Sequence, residues 1–354
     1  MILGSRIALG VYVPALSLKK QLEALGDQAD LFCLEELYQG KDRVMEATKR
    51  SMHDDFRLAR ISYRMPVRNQ SVIDPAAETA FVKNAAEKQY DAVIAFSGFF
   101  TAILNRLCRE SSHYQGRIYA VHMDAGVSRS WRDADLSGIQ EIWLYQLAGQ
   151  KIHRLLEKLT EPTEKLPRML VHGGGWGIGV YRDQIRSLNE RGIPLDVIVY
   201  YPEEAEQIDP MNACFLLDPA WKPSAGHAEY PRLLKQDADG WNPFADSRHR
   251  NPVRTLMEQD IAVLSKPGGG TLADSLCTGT PLIFSEALAS YETENRTLWE
   301  QCGFGIGFEH FQKTSDWNET LMEQRKRLLE TAEHLPVLAD CFHSSGEEGG
   351  RIHA

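Results

Sequence analysis

Short apolar runs alternate with segments of helical periodicity along the whole chain. In the first half the predicted strands are residues 7–13, 31–34, 91–96, 118–122 and 142–144. In the second half they are residues 169–172, 195–200, 213–217, 261–264, 282–284 and 305–308. The helices predicted between them are residues 16–25, 76–88, 99–108, 178–191, 271–277 and 293–302. Strands that alternate with helices in this way predict an α/β fold whose parallel sheets carry helices on both faces.

A polar stretch, TEPTEKLP at residues 160–167, separates the two series of elements. Its prolines and charges are typical of an interdomain linker. We therefore predict two facing Rossmann-like domains with a cleft between them. The predicted units are residues 1–159, the linker 160–167, residues 168–315, and a C-terminal helix and tail at 316–354. The helical segment 317–334 is expected to pack back across both domains, and residues 344–354 to form a frayed tail.

Composition restricts the class of partner. The chain has 354 residues, 43% of them hydrophobic, and a formal net charge of −10, which argues against a broad basic surface for nucleic acid. No apolar run approaches the ~20 residues of a membrane span, and the N-terminus is predicted as a first strand over 6–13 rather than as a signal peptide. The six scattered cysteines form no C-x-x-C pair and suit a cytoplasmic protein. The oligomeric state is left open, a homodimer included.

A glycine triplet follows the buried strand predicted at residues 261–264. Gly268, Gly269 and Gly270 turn the backbone, and Thr271 opens the next helix. A strand, a glycine turn and a helix present unpaired backbone N–H groups to an anion, so this segment predicts a phosphate site. Asp274 lies one turn further along, where it can accept hydrogen bonds from ribose hydroxyls. The alternatives are a tight turn without a ligand, and a carboxylate favoured there by the helix dipole.

A second glycine cluster, HGGGWGIG at residues 172–179, also lies between a predicted strand and a predicted helix. It lacks the G-x-G-x-x-G spacing of dinucleotide folds, and the chain contains no P-loop motif. The expected role of the cluster is to bring the backbone close to a ligand or to the facing domain, and the alternative is a flexible turn. The residues assigned to this cleft loop are Gly173, Gly174, Gly175 and Trp176.

The segment SKPGGGTLADSLCTGTPLIF, followed by YETEN at residues 291–295, resembles the donor site of two-domain GT-B glycosyltransferases that use nucleotide sugars. The motifs are similar to those of the monogalactosyldiacylglycerol synthases and of the N-acetylglucosaminyltransferase of peptidoglycan lipid synthesis. HGGGWGIG resembles the start of the second domain in the first of these groups. The resemblance covers residues 168–310 and is strongest over 265–307.

This resemblance implies roles for individual residues. The glycine turn with Thr271 would hold the donor pyrophosphate, Asp274 the ribose, and Glu292 the donor-sugar hydroxyls, with Asn295 completing that loop. The alternative for Glu292 and Asn295 is a capping arrangement for the helix predicted at 293–302. The resemblance further implies a UDP-linked sugar as co-substrate, no cofactor, no metal and inversion at the anomeric carbon.

The N-terminal half departs from the pattern of this family. Such enzymes carry a glycine-rich loop after the first strand, often with a histidine base, whereas the predicted counterpart here, residues 13–17, has neither. The next candidates for a general base are His122 and Asp124, which follow a predicted strand and should face the cleft. For His122 the alternative is a histidine satisfied at a strand end. The D-x-D sequences at residues 133–135 and 237–239 are interpreted as solvated loops.

The sequence therefore predicts a cytoplasmic, metal-independent glycosyltransferase that transfers a sugar from a UDP-type donor to a small-molecule acceptor. Two alternatives stay open. One is a UDP-sugar 2-epimerase or hydrolase of the same fold, and the other is a non-catalytic protein that binds a nucleotide sugar.

Overall fold

The structure is a computed structural model that describes residues 1–38, 42–64, 73–110, 116–161, 163–222 and 228–343, and the side chains of 42–46 are not described. Position 162 of the predicted linker and the predicted tail at 344–354 lie outside these residues. The strands of the described part are β1 (Ile2–Gly4), β2 (Leu31–Cys33), β3 (Ala92–Ala95), β4 (Arg117–His122), β5 (Gln140–Trp143), β6 (Tyr145–Gln146), β7 (Lys151–Ile152), β8 (Leu166–Val171), β9 (Leu195–Val199), β10 (Ala213–Leu217), β11 (Leu233–Asp237), β12 (Gly240–Phe244), β13 (Asp260–Ser265), β14 (Leu282–Phe284) and β15 (Gly305–Gly307).

The helices of the described part are α1 (Leu9–Ala24), α2 (Asp42–Asp54), α3 (Phe56–Arg64), α4 (Pro75–Lys88), α5 (Thr101–Glu110), α6 (Tyr181–Glu190), α7 (Pro252–Gln259), α8 (Gly269–Thr278), α9 (Ser290–Cys302), α10 (Phe308–Phe311) and α11 (Trp317–Ala332). Short 3-10 turns lie at Leu34–Leu37, Gly98–Phe100, Gly174–Trp176, Pro202–Gln207 and Leu338–Cys341. The α/β class predicted from the sequence is confirmed.

The first half forms a sheet whose described strands are all parallel, in the order β2-β1-β3-β4-β5. Strand order reverses between β1 and β3, and ligands of open parallel sheets bind at the carboxyl ends of the strands beside such a point. The segments after β1, β3 and β4 therefore meet at one edge of this sheet.

The second half forms a sheet in the order β12-β11-β10-β9-β8-β13-β14-β15. From β10 to β15 the described strands are parallel and follow the order 3-2-1-4-5-6 of dinucleotide-binding folds, with the reversal between β8 and β13. The two glycine-rich segments follow these two central strands, which places both at the reversal point. Strands β11 and β12, which were not predicted from the sequence, add an antiparallel hairpin at one edge of this parallel sheet.

The start of the chain differs from the prediction. The strand expected over residues 6–13 is instead β1 at Ile2–Gly4, and residues from Leu9 onward form α1. Helix α1 packs against strands of the first sheet and against α8 of the second half, and every residue from Pro14 to Leu18 is buried. A helix covered on all sides loses the 3.6-residue alternation of apolar and polar positions, and so its sequence resembles a strand.

Several further elements were not predicted from the sequence. The consecutive helices α2 and α3 belong to the first half but contact the second, and β11 and β12 form a hairpin where no strand was predicted. Helices α7 and α10 and the short strands β6 and β7 were not predicted either. The C-terminal helix is present as α11, which packs on α8 and β13. Beyond it, the ring of Phe342 packs against that of Tyr119, and the imidazole of His343 lies 2.8 Å from Asp27, so the chain returns to the first half.

None of the helices in the described part of the chain combines the length and apolarity that a membrane span requires.

Candidate functional site

A cavity of about 580 Å³ lies between the two halves. Its walls come from the segments that follow β1, β3 and β4 on one side, and β8 and β13 on the other. Strands β1 and β3, and β8 and β13, flank the reversal points of the two sheets, and β4 lies next to β3. All the donor-site positions assigned from the sequence, except Asn295, line this cavity: Gly268, Gly269, Gly270, Thr271, Asp274 and Glu292.

The glycine triplet forms the beginning of α8. Gly268 is its N-cap and supplies no side chain to cap the helix, and no acidic residue occupies the first turn. The first hydrogen bond of the helix runs from Leu272 N–H to the Gly268 carbonyl, so the N–H groups of Gly269, Gly270 and Thr271 have no acceptor one turn back. This helix start carries the positive end of the helix dipole into the cavity.

Gly269 brings the two halves into contact. A Cβ atom at this position would collide with the carbonyl oxygen of Met123 and would lie 2.6 Å from Asp124 Oδ1. The hydroxyl of Tyr145 donates to the Gly269 carbonyl at 2.6 Å. Glycine is required here because the loop after β4 packs directly on the backbone of α8.

Lys266 and Glu292 form an ion pair inside the cavity, Lys266 Nζ donating to Glu292 Oε1. The ammonium lies between the two glycine-rich segments, close to the backbone of both Gly174 and Gly268. Although burial lowers the pKa of Lys266, the Glu292 carboxylate outweighs it and holds that pKa above its usual value. Lys266 is thus a partly buried cation in the wall of the cavity.

Glu292 is 1% exposed and uses both carboxylate oxygens. Its Oε2 accepts from the backbone N–H of Leu288 at 2.7 Å, just before α9 begins, while Oε1 binds Lys266. The start of α9 has no side-chain cap, and Leu288 precedes the N-cap residue Ala289, so the alternative drawn from the sequence, that Glu292 caps this helix, is wrong. The same side chain lines the cavity, where the resemblance would have it contact a donor sugar.

Asp274 lies one turn into α8 as expected, but its carboxylate is already hydrogen-bonded to another side chain of the protein. Its Oδ1 accepts from Nε of the buried Arg254 at 2.6 Å, and Arg254 also pairs with Glu157. Burial raises the pKa of Asp274, against the opposing effect of Arg254. The ribose role stays a prediction, and any hydroxyl bound there would share this carboxylate with the guanidinium.

Asp124 lies in the cavity wall directly after β4, opposite the beginning of α8. Its carboxylate lies against the backbone of Gly269 and, through Oδ1, accepts from Asn295 Nδ2 at 2.8 Å. Both Asn295 and the Gly269 N–H favour its ionised form. Burial, helped by the charge of Glu292, raises the pKa of Asp124 to about 6 in spite of these donors. A carboxylate with such a pKa is able to exchange a proton near neutral pH.

Asn295 does not line the cavity. It is fully buried in α9, where Oδ1 accepts from Ala125 N–H at 2.6 Å and Nδ2 donates to Asp124 and, at 2.9 Å, to the Pro267 carbonyl. The side chain therefore connects the loop after β4 to the loop after β13. The sequence placed it beside the donor sugar, and the structure places it behind Asp124.

His122 lies away from the cavity wall, contrary to the expectation that it faces the cleft. It is 2% exposed, its ring stacks on Trp143 at 4.0 Å, and Nε2 lies 2.9 Å from a Glu141 oxygen. Burial lowers its pKa to about 4. Since the side chains of a strand alternate between its faces, His122 at the last position of β4 packs among aromatic rings instead of facing the cleft.

The cleft loop assigned to Gly173, Gly174, Gly175 and Trp176 also lines the cavity. A Cβ at Gly175 would lie 2.5 Å from Leu9 Cβ, and Trp176 Nε1 donates to the Ile7 carbonyl at 2.5 Å. The expectation that this segment approaches the facing half therefore fits the structure. His172, which begins the segment, accepts from Gly174 N–H through Nδ1 at 3.0 Å, and burial lowers its pKa to about 4.

The loop after the first strand lies earlier in the chain than predicted, but it too is not glycine-rich. Strand β1 ends at Gly4 and α1 begins at Leu9, so the loop is residues 5–8, SRIA, with Gly4 and Gly10 only flanking it. No histidine lies in it. The Glu35 carboxylate accepts from the Ser5 hydroxyl at 2.5 Å and from the Arg6 N–H at 2.8 Å, which fixes the loop.

Helices α2 and α3 make a contact between the two halves, called the latch below, that was not predicted from the sequence. His53 of α2 is 1% exposed, with Nε2 2.6 Å from Glu204 and Nδ1 3.2 Å from the Trp176 carbonyl. The hydroxyl of Tyr63 on α3 lies 2.8 Å from the hydroxyl of Tyr291 on α9. Amphipathic spacing in residues 42–64 was the available signal, but nothing in it indicated which surface the helices cover.

The two D-x-D sequences lie in exposed positions, as expected: Asp133 follows β4 at some distance, and Asp237 begins the turn of the β11–β12 hairpin. Among the residues that the structure describes, no cluster of His, Cys, Asp and Glu side chains is arranged to hold a metal ion.

Two facing sheets of these strand orders, with a cavity at the carboxyl ends of both, define the GT-B fold of nucleotide-sugar glycosyltransferases. No protein-family model matches the chain, and no curated protein sequence matches it either.

Solved structures share the fold over nearly the whole chain. MurG of Acinetobacter baumannii is 14% identical with a TM-score of 0.50, covering 96% of this chain and 95% of that one. UGT89C1 of Arabidopsis thaliana, complexed with UDP-L-rhamnose, is 12% identical with a TM-score of 0.52 and 94% of each chain covered. The spinosyn rhamnosyltransferase SpnG, complexed with thymidine diphosphate, is 11% identical with a TM-score of 0.53, covering 96% and 97%. At these identities the likeness establishes the fold.

Proposed function

We propose that this protein is a glycosyltransferase that moves a sugar from a nucleoside diphosphate donor of the UDP type to a hydroxyl group of a small-molecule acceptor. The observation that carries the proposal is the position of Asp124. It belongs to the first half, yet its carboxylate meets the N-terminus of α8 in the second half, inside a cavity built by both. A base and an anion site face each other across this cleft.

The donor diphosphate binds at the beginning of α8. The N–H groups of Gly270 and Thr271 and the helix dipole favour an anion there. Lys266, close to both glycine-rich segments, adds a full positive charge. We assign the neutralisation of the leaving diphosphate to these groups and not to a metal ion, and we assign Glu292 to the donor sugar.

The transfer step uses Asp124 as general base. The acceptor oxygen forms a bond to the anomeric carbon while the bond from that carbon to the diphosphate oxygen breaks. The acceptor proton passes to Asp124, and the nucleoside diphosphate leaves with the bonding electrons. Attack from the side opposite the leaving group inverts the anomeric centre. With its pKa near 6, the carboxylate is mostly ionised at neutral pH and still basic enough to assist.

The size of the cavity suits small-molecule ligands. About 580 Å³ lies within the range of roughly 300–1,000 Å³ that small-molecule sites occupy. The neighbouring structures were solved with UDP-L-rhamnose and thymidine diphosphate, which supports a nucleotide donor of this kind.

The experiment compares the wild-type protein with Asp124→Asn. Calorimetry with UDP and a panel of UDP-sugars measures donor binding, and mass spectrometry after incubation with an acceptor panel measures transfer. Asp124→Asn should bind UDP within about twofold of wild type and should lose at least about 100-fold in transfer rate. Asp133→Asn, an exposed aspartate that follows the same strand, is the matched control and should behave as wild type.

Each alternative gives a different result. Conversion of a UDP-sugar without any acceptor indicates an epimerase or a hydrolase. Tight UDP-sugar binding without turnover on any acceptor indicates a non-catalytic binding protein. Absence of nucleotide binding by the folded protein overturns the proposal.

A further inference from the structure

Asp124 receives its side-chain hydrogen bond from the other half of the protein. Asn295 stands 171 positions further along the chain, in the middle of α9, and is 0% exposed. Its amide reaches across to the loop after β4, where it contacts both the Asp124 carboxylate and the next backbone N–H, that of Ala125.

The surroundings determine which way the amide points. Ala125 N–H needs an acceptor and therefore faces Oδ1, at 2.6 Å. The Pro267 carbonyl needs a donor and therefore faces the NH₂ group, at 2.9 Å. The other hydrogen of that NH₂ group then points at Asp124 Oδ1, at 2.8 Å. A flipped amide would leave three buried polar groups without a suitable partner, so the donor to Asp124 is fixed.

The backbone N–H of Gly269, at the beginning of α8, is a second group that favours the ionised form of this carboxylate. Asn295 and Gly269 both belong to the second half, while Asp124 belongs to the first. If the halves separate, Asp124 loses both interactions at once.

We infer that Asn295 is a positioning residue for the general base: it orients the Asp124 carboxylate across the cleft, so that the base is complete only when the two halves are closed on each other. This inference rests on the proposed function of Asp124. In this arrangement the donor half, which binds the nucleotide, also completes the machinery that activates the acceptor.

The inference has a consequence for protonation, because a hydrogen bond to the ionised form favours it. Asn295 and Gly269 lower the pKa of Asp124, and burial with the Glu292 charge raises it. The charged and titratable groups that face Asp124 are Glu292, Lys266, Tyr63, Tyr145 and Tyr291. Loss of the Asn295 donor should therefore move the titration of Asp124 to higher pH.

The test uses Asn295→Asp, which keeps an oxygen for Ala125 N–H but replaces the NH₂ donor with an acceptor facing Asp124. Carboxyl NMR of protein labelled with ¹³C-aspartate, assigned with Asp124→Asn, measures the Asp124 titration directly. We expect an upward shift of more than about one pH unit. The acidic limb of the kcat/KM profile should shift with it, with KM for the donor within about twofold. Thr293→Asp, which adds a carboxylate to the exposed face of the same helix, should leave both unchanged.

A second variant, Asn295→Ser, is measured in parallel, because it removes the amide without adding a charge. An upward shift in Asn295→Ser as well shows that loss of the donor, and not repulsion by the new carboxylate of Asn295→Asp, moves the titration. An Asp124 titration that stays within about 0.3 pH units of wild type in a folded variant overturns the inference. UDP calorimetry on the same variants separates the two claims. If the wild-type protein binds no nucleotide, the proposed function is wrong. If the Asn295 variants bind UDP normally and their Asp124 titration does not move, only the role of Asn295 is wrong.

Discussion

Lys266 and Glu292 are 26 positions apart, yet the partly buried Lys266 and the buried Glu292 form an ion pair between the two glycine-rich segments of the second half. A buried ion pair contributes little net stability, because desolvation offsets most of the attraction. Its value here is that a cation is held at a fixed place beside the beginning of α8. An arriving diphosphate competes with Glu292 for that cation.

Replacing Lys266 with methionine should weaken UDP binding by about 100-fold, because it removes the cation and leaves Glu292 buried without its partner. The double variant Lys266→Met/Glu292→Gln should recover the melting temperature but not the UDP affinity, since the uncompensated charge is gone and the cation is still missing. Calorimetry and thermal unfolding measure the two effects separately. Equal UDP affinity in wild type and Lys266→Met would remove Lys266 from the donor site.

Gly270 and Gly269 are adjacent but should respond differently to substitution. A Cβ at Gly270 meets nothing closer than Gly10 Cα at 3.7 Å, so Gly270→Ala should fold and retain UDP binding within a few-fold. Gly270→Asp should also fold, since an acidic side chain suits the first turn of a helix, but its carboxylate should occupy the anion site and abolish UDP binding.

Gly269→Ala provides the contrast in the same turn. Its methyl group would collide with the Met123 carbonyl across the cleft, so the melting temperature should fall, whereas Gly270→Ala should leave it nearly unchanged. Differential scanning calorimetry distinguishes the two variants. Identical unfolding of Gly269→Ala and wild type would mean that the loop after β4 does not pack on α8 in solution.

Much of the second half could be predicted from the sequence because its strands are uninterrupted apolar runs. The strands at Ala213–Leu217 and Leu282–Phe284 were predicted to the residue, and the glycine turns lie where the motifs placed them. The first strand was misplaced because α1 is buried on every side and shows no helical periodicity. No sequence pattern indicated that Asn295 reaches Asp124, since that contact depends on how two loops from different halves meet.

Substitution of His53, in the latch, should lower the free energy of unfolding substantially. His53→Ala removes a buried partner from Glu204 and from the Trp176 carbonyl, which should cost about 2–3 kcal/mol of unfolding free energy. Arg50→Ala is the comparison on the same helix. Arg50 is exposed, pairs with the exposed Glu203 and Asp54 and lies over the Tyr201 ring, and such surface contacts contribute about 1 kcal/mol or less each. Urea denaturation compares them. A loss for Arg50→Ala as large as that for His53→Ala would contradict the assignment of the latch to His53.

The burial of Asp260, which does not line the cleft, predicts that the free energy of unfolding depends on pH. The residue is 0% exposed at the start of β13, and among the described residues neither carboxylate oxygen has a hydrogen-bond partner. Burial, with the nearby Asp196 charge, raises the pKa of Asp260 to about 8. The folded state therefore keeps a proton that the unfolded chain releases above about pH 4.

Because the folded pKa exceeds the unfolded one, the stability due to Asp260 is complete below about pH 4 and declines as pH rises towards 8. Burial lowers the pKa of the neighbouring Lys165 to about 7. Lys165 therefore has the opposite effect on stability: its contribution falls as the pH drops from the pKa of Lys165 in the unfolded chain to about 7. Between pH 5 and 7 Lys165 is largely protonated in both states. Asp260→Asn, a neutral side chain of the same shape, should there become progressively more stable than wild type, by at most about 1.4 kcal/mol per pH unit. Urea denaturation at pH 5, 6 and 7 measures the difference, and a constant offset between the two proteins would show that Asp260 is ionised in the folded state.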